Sequence, residues 1–265
     1  MQRPLSSLLG WPTLAWSGLA LVGWTAVSAG PIFEDRFEDQ PYKDTGIDWC
    51  ADNATNFLPC PVAGFPRQDA EFGRDALARQ GLLQKKGAGA ASFDFTKLDA
   101  SGSPLPAEAG QWHCVLDNLT NLVWEVKVDQ PDHLRHVLHQ YSWYDPDPSS
   151  NGGGAGQANG GFCVGGACDT EGFVNAVNAQ GLCGASDWRL PTLLELSALV
   201  HRGAILPAMD TDYFPYIPQQ QLRFWTSTTT AADPNQAWRI EINNGFDNVQ
   251  EKVQVGAIRL VRQAQ

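Results

Sequence analysis

Positive charge is scarce in this sequence. Its 18 Lys and Arg face 29 Asp and Glu, for a formal net charge of −11. The summed field of such a chain repels polyanions, which argues against nucleic acid and acidic lipid as partners. Long apolar runs are missing after the first thirty residues, so no membrane span is expected there, since a span needs about 20 apolar residues. The Cys-x2-Cys spacing of a structural zinc site is absent. So are a Gly-x-Ser-x-Gly elbow, a His-Glu-x-x-His pair and a phosphate loop. Neighbouring carboxylates such as Glu34/Asp35 and Asp210/Asp212 are ordinary in an acidic chain and do not by themselves mark a glycosidase pair. No catalytic motif is found.

What is present begins with a leader. Residues 1–29 carry one early positive charge, Arg3, then an apolar run from Leu14 to Val27, and close on Val27-Ser28-Ala29. That is the three-part plan of a secretory signal peptide, with Gly30 as the mature start. A membrane-spanning helix is the alternative, but Pro12 and Ser17 interrupt the run and the acidic Glu34 to Asp39 stretch is a poor stop-transfer flank. Removing Arg3 with the leader makes the chain one unit more acidic. The expected localisation is secreted or periplasmic.

All 6 cysteines follow the leader: Cys50, Cys60, Cys114, Cys163, Cys168 and Cys183. An even count in an exported chain reads as disulfides. Asp169 to Gln180 reads as a helix with Asp169 as N-cap and Gly181 as the C-cap glycine. Cys168 and Cys183 flank it, about 18 Å apart at 1.5 Å per residue, whereas a disulfide needs Cα atoms roughly 5.5 Å apart. The simplest remaining set is Cys50–Cys60 and Cys163–Cys168 as local loops, with Cys114–Cys183 as the long-range link.

Residues 30–110 read as an irregular N-terminal region that packs against the rest. Within it, Gln68 to Arg79 is a short helix capped by Asp69, and Phe93, Phe95 and Leu98 precede an Ala-Ser-Gly turn as one arm of a hairpin. Residues 111–265 are patterned more tightly. Cys114 to Lys127 gives strand, polar turn and strand, and Tyr141 and Trp143 alternate with polar neighbours as a half-buried strand. A loop from Asp145 to Gly166 holds eight glycines, and a structureless loop of that length is functional or mobile in most domains. Thr192 with Glu195 makes a capping box for a second helix ended by Gly203, with His201 in its last turn. Strands at Leu222 to Thr226, Ala237 to Ile242 (Trp238, Ile240 and Ile242 on one face) and Val255 to Val261 follow, with Asn244-Gly245 as a tight turn. Strands and two helices mixed without a βαβ beat make the class α+β.

Two constellations bear on ligands. Asp145, Asp147, Ser149 and Asn151 place oxygens at alternate positions, as the first half of a calcium loop does. Gly156 stands where an EF-hand needs its glutamate, so the competing reading is a solvated Pro/Ser/Gly turn. No cofactor is required, and calcium is the one metal the loop could take. His133, His136 and His139 are spaced by three, but no carboxylate or thiolate at ligand spacing completes a zinc site. Most tryptophans read as core. Trp143, beside the glycine-rich loop, is the expected stacking residue, with Asp145, Asp147 and Asn151 as its polar companions.

Asp117-Asn118-Leu-Thr-Asn-Leu-Val-Trp124, Gly181-Leu-Cys-Gly-Ala-Ser-Asp-Trp-Arg-Leu-Pro-Thr192 with Glu195-Leu196, Phe224-Trp-Thr-Ser227, Ala237-Trp238 and Arg259-Leu-Val-Arg262 together resemble the Lcl C-terminal domain family, named for the tail of a collagen-like bacterial adhesin. The resemblance spans about Gln111 to Arg262. It implies a C-type-lectin-like fold and extracellular recognition, and for the adhesin itself sulfated glycans and a trimer. This chain departs from it in having no collagen-like Gly-x-y repeat and in an acidity that repels sulfated polymers. Trp188-Arg-Leu-Pro-Thr-x-x-Glu195 also resembles a motif of formylglycine-generating enzymes, but no cysteine follows Cys183 to supply their reactive pair.

The resulting expectation is a non-catalytic, adhesin-like binding module for a glycan or cell-surface protein, able to oligomerise. A structural or interaction subunit of a bacterial envelope assembly is the alternative, and an uncharacterised hydrolase the third reading.

Overall fold

Strands form where short β-branched and aromatic runs are bounded by turn residues, and the central example is a hairpin. β3 (Cys114–Asp117) and β4 (Leu122–Glu125) pair antiparallel. Asp117 shapes the turn between them, accepting from the Leu119 amide at 3.1 Å and the Thr120 hydroxyl at 2.6 Å. The computed structural model describes residues 43–216 and 222–265; the leader read over residues 1–29 lies outside the described residues. β1 (Phe95–Leu98) and β2 (Pro104–Leu105) add to one edge of the hairpin, and β10 (Val261–Gln263) to the other, in the order β10-β4-β3-β1-β2. The segment upstream of Gln111 thus contributes to the same sheet as the chain's C-terminus.

A second sheet runs β6 (Arg223–Thr229), β7 (Gln236–Glu241) and β8 (Phe246–Glu251). A two-stranded ladder joins β5 (Tyr141–Ser142) to β9 (Val255–Gly256). All of these named strand pairs are antiparallel, and with the three α-helices found among the described residues they make a mixed helix-and-sheet architecture.

Period-two alternation divides the strand side chains between two core clusters. Val115, Leu122, Trp124 and Phe224 go to one, with Phe93, Phe95, Phe214 and Ile240. Cys114, Val123 and Trp225 go to the other, with Tyr141, Trp143, Phe173 and Trp188. Both faces of the hairpin are therefore covered, which is why β4 is buried at every position.

Helix α2 (Thr170–Gln180) starts where Asp169 accepts from the Gly172 amide and ends at Gly181, whose φ of 63° is left-handed. Its apolar side, Phe173 and Val177, is fully buried. Three disulfides, Cys50–Cys60, Cys114–Cys183 and Cys163–Cys168, close the chain, and no cysteine is free.

Several expectations are corrected. The segment Gln68 to Arg79 is not one helix. A 3-10 turn, Asp69–Glu71, is separated from α1 (Gly73–Arg79) by extended Phe72, and Asp69 accepts from the Thr45 hydroxyl instead of capping. Helix α3 (Leu193–Ser197) keeps its capping box but stops well before Gly203. Beyond Val200 the backbone is taken by other partners, with the His201 amide on Ala208 O and the Arg202 amide on Thr45 O. His201 is accordingly a core residue beside Phe93, 5.3 Å between rings, and burial pushes its pKa down. Tyr141 and Trp143 are fully buried rather than half-buried, each 1% exposed.

Candidate functional site

The end of β5 meets the start of α2 through one threonine. Thr170 Oγ1 accepts from the Tyr144 amide at 2.8 Å and donates to the Tyr144 carbonyl at 2.7 Å. Asp169 uses one carboxylate oxygen for the helix cap and the other for the Asn159 amide at 2.6 Å. Two adjacent residues thus fix strand, loop and helix together. The Trp188-Arg-Leu-Pro-Thr motif forms a facing wall, where Arg189 and Glu195 make a two-pronged pair at 2.8 and 2.7 Å. Burial pushes the Glu195 carboxyl up, but the Arg189 and Thr192 donors outweigh it and hold it below the ordinary range.

Between these elements lies a groove of about 560 Å³. Tyr144, Asp145, Asp147 and Glu171 line it beside Arg189 and Leu190. Asp147 is exposed, and the Ser149 amide and hydroxyl hold its carboxyl below the ordinary value. The guanidinium of Arg189 is already matched by Glu195, so the groove is net acidic and rich in acceptors.

The expected ligand-binding residues are partly assembled. Trp143, Asp145 and Asp147 all line the groove. Trp143 is nevertheless no stacking platform. It is 1% exposed, its indole N–H donates to Thr226 O at 2.9 Å, and the Lys252 ammonium sits 3.7 Å over its ring. Asn151 is buried below the loop, donating to Asp145 O at 3.1 Å and accepting from the Gly153 amide at 2.9 Å.

The residues expected to hold calcium are bonded within their own loop. Asp145 spends its carboxylate on the Asp147 amide and the Ser150 hydroxyl, and Asp147 spends one oxygen on Ser149. Asn151 Oδ1 is also engaged, so as arranged the set offers few open oxygens toward the six to eight that calcium takes. Lys252 secures this loop instead, donating to Asn151 O at 2.8 Å and Gly154 O at 2.6 Å. Nothing in the local Glu-Lys-Val sequence signals that role.

The loop from Asp145 to Gly166 is correspondingly not structureless. The Asp145 amide bonds to Ala155 O, Gln157 to Trp143 O and Phe162 to Gln140 O. Among the histidines, His136 and His139 touch ring to ring at 5.2 Å, and His139 Nδ1 meets Leu134 O at 3.2 Å. Among the described residues, the potential metal-ligating side chains within 4.8 Å of one another are Asp44, Asp69 and Asp75. They serve as fasteners, taking the Gly46, Ser92 and Asp75 amides and the Thr45 hydroxyl.

Sequence reasoning missed Tyr144, Thr170, Glu171 and Arg189 as lining residues. The signal for two of them was available, because a helix capped at Asp169 places Thr170 and Glu171 in its first turn. No helix among the described residues is long and apolar enough to cross a membrane. No curated protein and no solved structure matches the chain. Residues 113–262, more than half of the chain, match the family described as the Lcl C-terminal domain. The match takes in the hairpin, both motif helices and the last strand, and on it the chain belongs to the Lcl C-terminal domain family.

Proposed function

We propose that this chain is an exported, non-catalytic recognition module of lectin-like character, whose groove beside Tyr144 takes a neutral, hydroxyl-rich ligand such as a glycan. The observation that carries the reading is the make-up of that groove. Asp147 and Glu171 each keep one carboxylate oxygen open among the described residues, Asp145 adds its charge, and Pro146, Val174 and Leu190 offer apolar surface. Charge-assisted bonds from sugar hydroxyls to carboxylates are among the stronger neutral-ligand contacts, and the C–H faces of a sugar suit apolar walls. The same acidity disfavours sulfated or phosphorylated polymers. Three disulfides support an oxidising compartment.

A glycan array on the purified protein, run in calcium and again in EDTA, tests this. Binding to neutral glycans is expected in both conditions, and Asp147→Asn with Glu171→Gln should weaken it at least tenfold without lowering stability. Silence across the array, or binding confined to sulfated glycans, would sink the reading. Loss in EDTA would restore the calcium loop.

A second reading rests on one observation. Phe57, Phe65, Phe72 and Leu82 are exposed by 67, 40, 58 and 61% within a single segment. Large exposed apolar side chains concentrated this way favour a protein partner, as in an envelope assembly.

A further inference from the structure

We propose that the cavity walled by Trp112 and Arg135 is a second ligand site, which takes a small carboxylate. It is separate from the groove beside Tyr144 and does not depend on that groove's function. The cavity measures about 310 Å³ and is lined by Gln111, Trp112, His113, Lys127, Gln130 and Arg135, with Tyr216 at its edge. Among the described residues no Asp or Glu lines it, although the chain carries 29 of them.

Arg135 is the anchor. It is 5% exposed, and no carboxylate of the described residues lies within ion-pair distance of it. A guanidinium carries five N–H groups. Nη1 donates to Val126 O and to His113 O, and Nη2 meets His113 Nδ1 at 3.4 Å. Among the described residues Nε has no acceptor, and Nη2 has only the long contact to His113 Nδ1. Nε and Nη2 form one edge of the guanidinium, the spacing that the two oxygens of a carboxylate match. The nearest buried acid cannot serve, because Glu125 already holds Lys127 at 2.9 Å and accepts from the Leu260 amide at 3.0 Å.

Charge and shape agree with that assignment. Burying a guanidinium without a counter-charge is costly, and an anionic ligand supplies what the fold withholds. Trp112 is held in place, its N–H on Tyr213 O at 2.9 Å and the Lys97 ammonium 3.7 Å from its ring. An aromatic wall beside a guanidinium edge suits a flat carboxylate better than a compact tetrahedral oxyanion.

Calorimetric titration of the full chain with benzoate, benzamide and benzenesulfonate tests the proposal. Benzoate is expected to bind at one saturable site, at least tenfold tighter than either analogue. Gln130 is exposed on the rim, so Gln130→Glu should weaken benzoate at least fivefold without touching the core, and Arg135→Lys, where folded, should do the same by removing the paired edge. Asp147→Asn in the other groove should leave benzoate unchanged. Equal affinity for benzamide or benzenesulfonate, no benzoate binding at millimolar concentration, or indifference to Gln130→Glu would each overturn it.

Discussion

At the scale of single residues, Lys252 shows how a buried cation orders a loop. Its ammonium is buried over Trp143 and donates to two carbonyls about a hundred positions away in sequence, at Asn151 and Gly154. Desolvation pushes its pKa down to about 8, against the attraction of Asp145 and Asp233. Lys252→Met keeps the apolar stem and removes the donors, stranding the two carbonyls at a cost of roughly 1–3 kcal/mol. The denaturant midpoint should fall, and amide exchange should rise across residues 151–156. The pH dependence has a definite sign. An unfolded lysine titrates at about 10.4, so between that value and the folded value of about 8 the unfolded chain binds the extra proton. Stability contributed by this group therefore rises with pH through that window, and is at its least below it. Lys252→Met should flatten that slope, and an unchanged slope in the variant would assign it elsewhere.

At the scale of elements, the glycine-rich loop and the helix ends carry the contrast between what local chemistry dictates and what distant contacts dictate. Gly156 has a φ of 79°, and a Cβ there would lie 2.1 Å from the Trp143 carbonyl oxygen. Gly156→Ala should therefore displace the loop and cost roughly 1–3 kcal/mol, seen as new protease cleavage between residues 145 and 166 with the far-ultraviolet spectrum retained. The Asp169 cap, the Thr192 and Glu195 capping box and the Cys114 to Glu125 hairpin were all legible in the sequence, because each is built by residues a few positions apart. The early end of α3 was not, since it is set by Ala208 and Thr45 claiming the backbone after Val200. Nor was the burial of Trp143, which depends on Thr226 and Lys252. Of the groove, Asp145 and Asp147 were legible from turn chemistry. Arg189 was visible only as part of a motif, and Arg135 gave no signal because its lack of an ion-pair partner among the described residues is set by the fold, which commits Glu125 to Lys127 and Leu260.

At the scale of the whole molecule, the disulfides sit at very different leverage. Cys163–Cys168 closes a loop with a sequence separation of 5, and Cys114–Cys183 one of 69. The second ties the central hairpin to the segment that follows α2, two elements that also share the core around Phe173, Trp188 and Leu260. In the chain-entropy account the cross-link acts mainly on the unfolded ensemble, and the loop sizes correspond to about 4 kcal/mol for the long link and about 2 kcal/mol for the short one. The short link has a second effect that entropy does not count, because the Gly161 amide and the Ser142 amide both bond to the Cys168 carbonyl at 2.8 and 3.3 Å, so its loop is already held by backbone. Replacing Cys163 and Cys168 together by Ser should then cost less than the loop size implies and leave the groove beside Tyr144 intact. Replacing Cys114 and Cys183 by Ser should lower the unfolding midpoint further, with Trp188 and Trp225 fluorescence reporting loosening of their shared core before global unfolding. Equal losses from the two double variants would show that native-state packing, not restriction of the unfolded chain, governs what these links contribute.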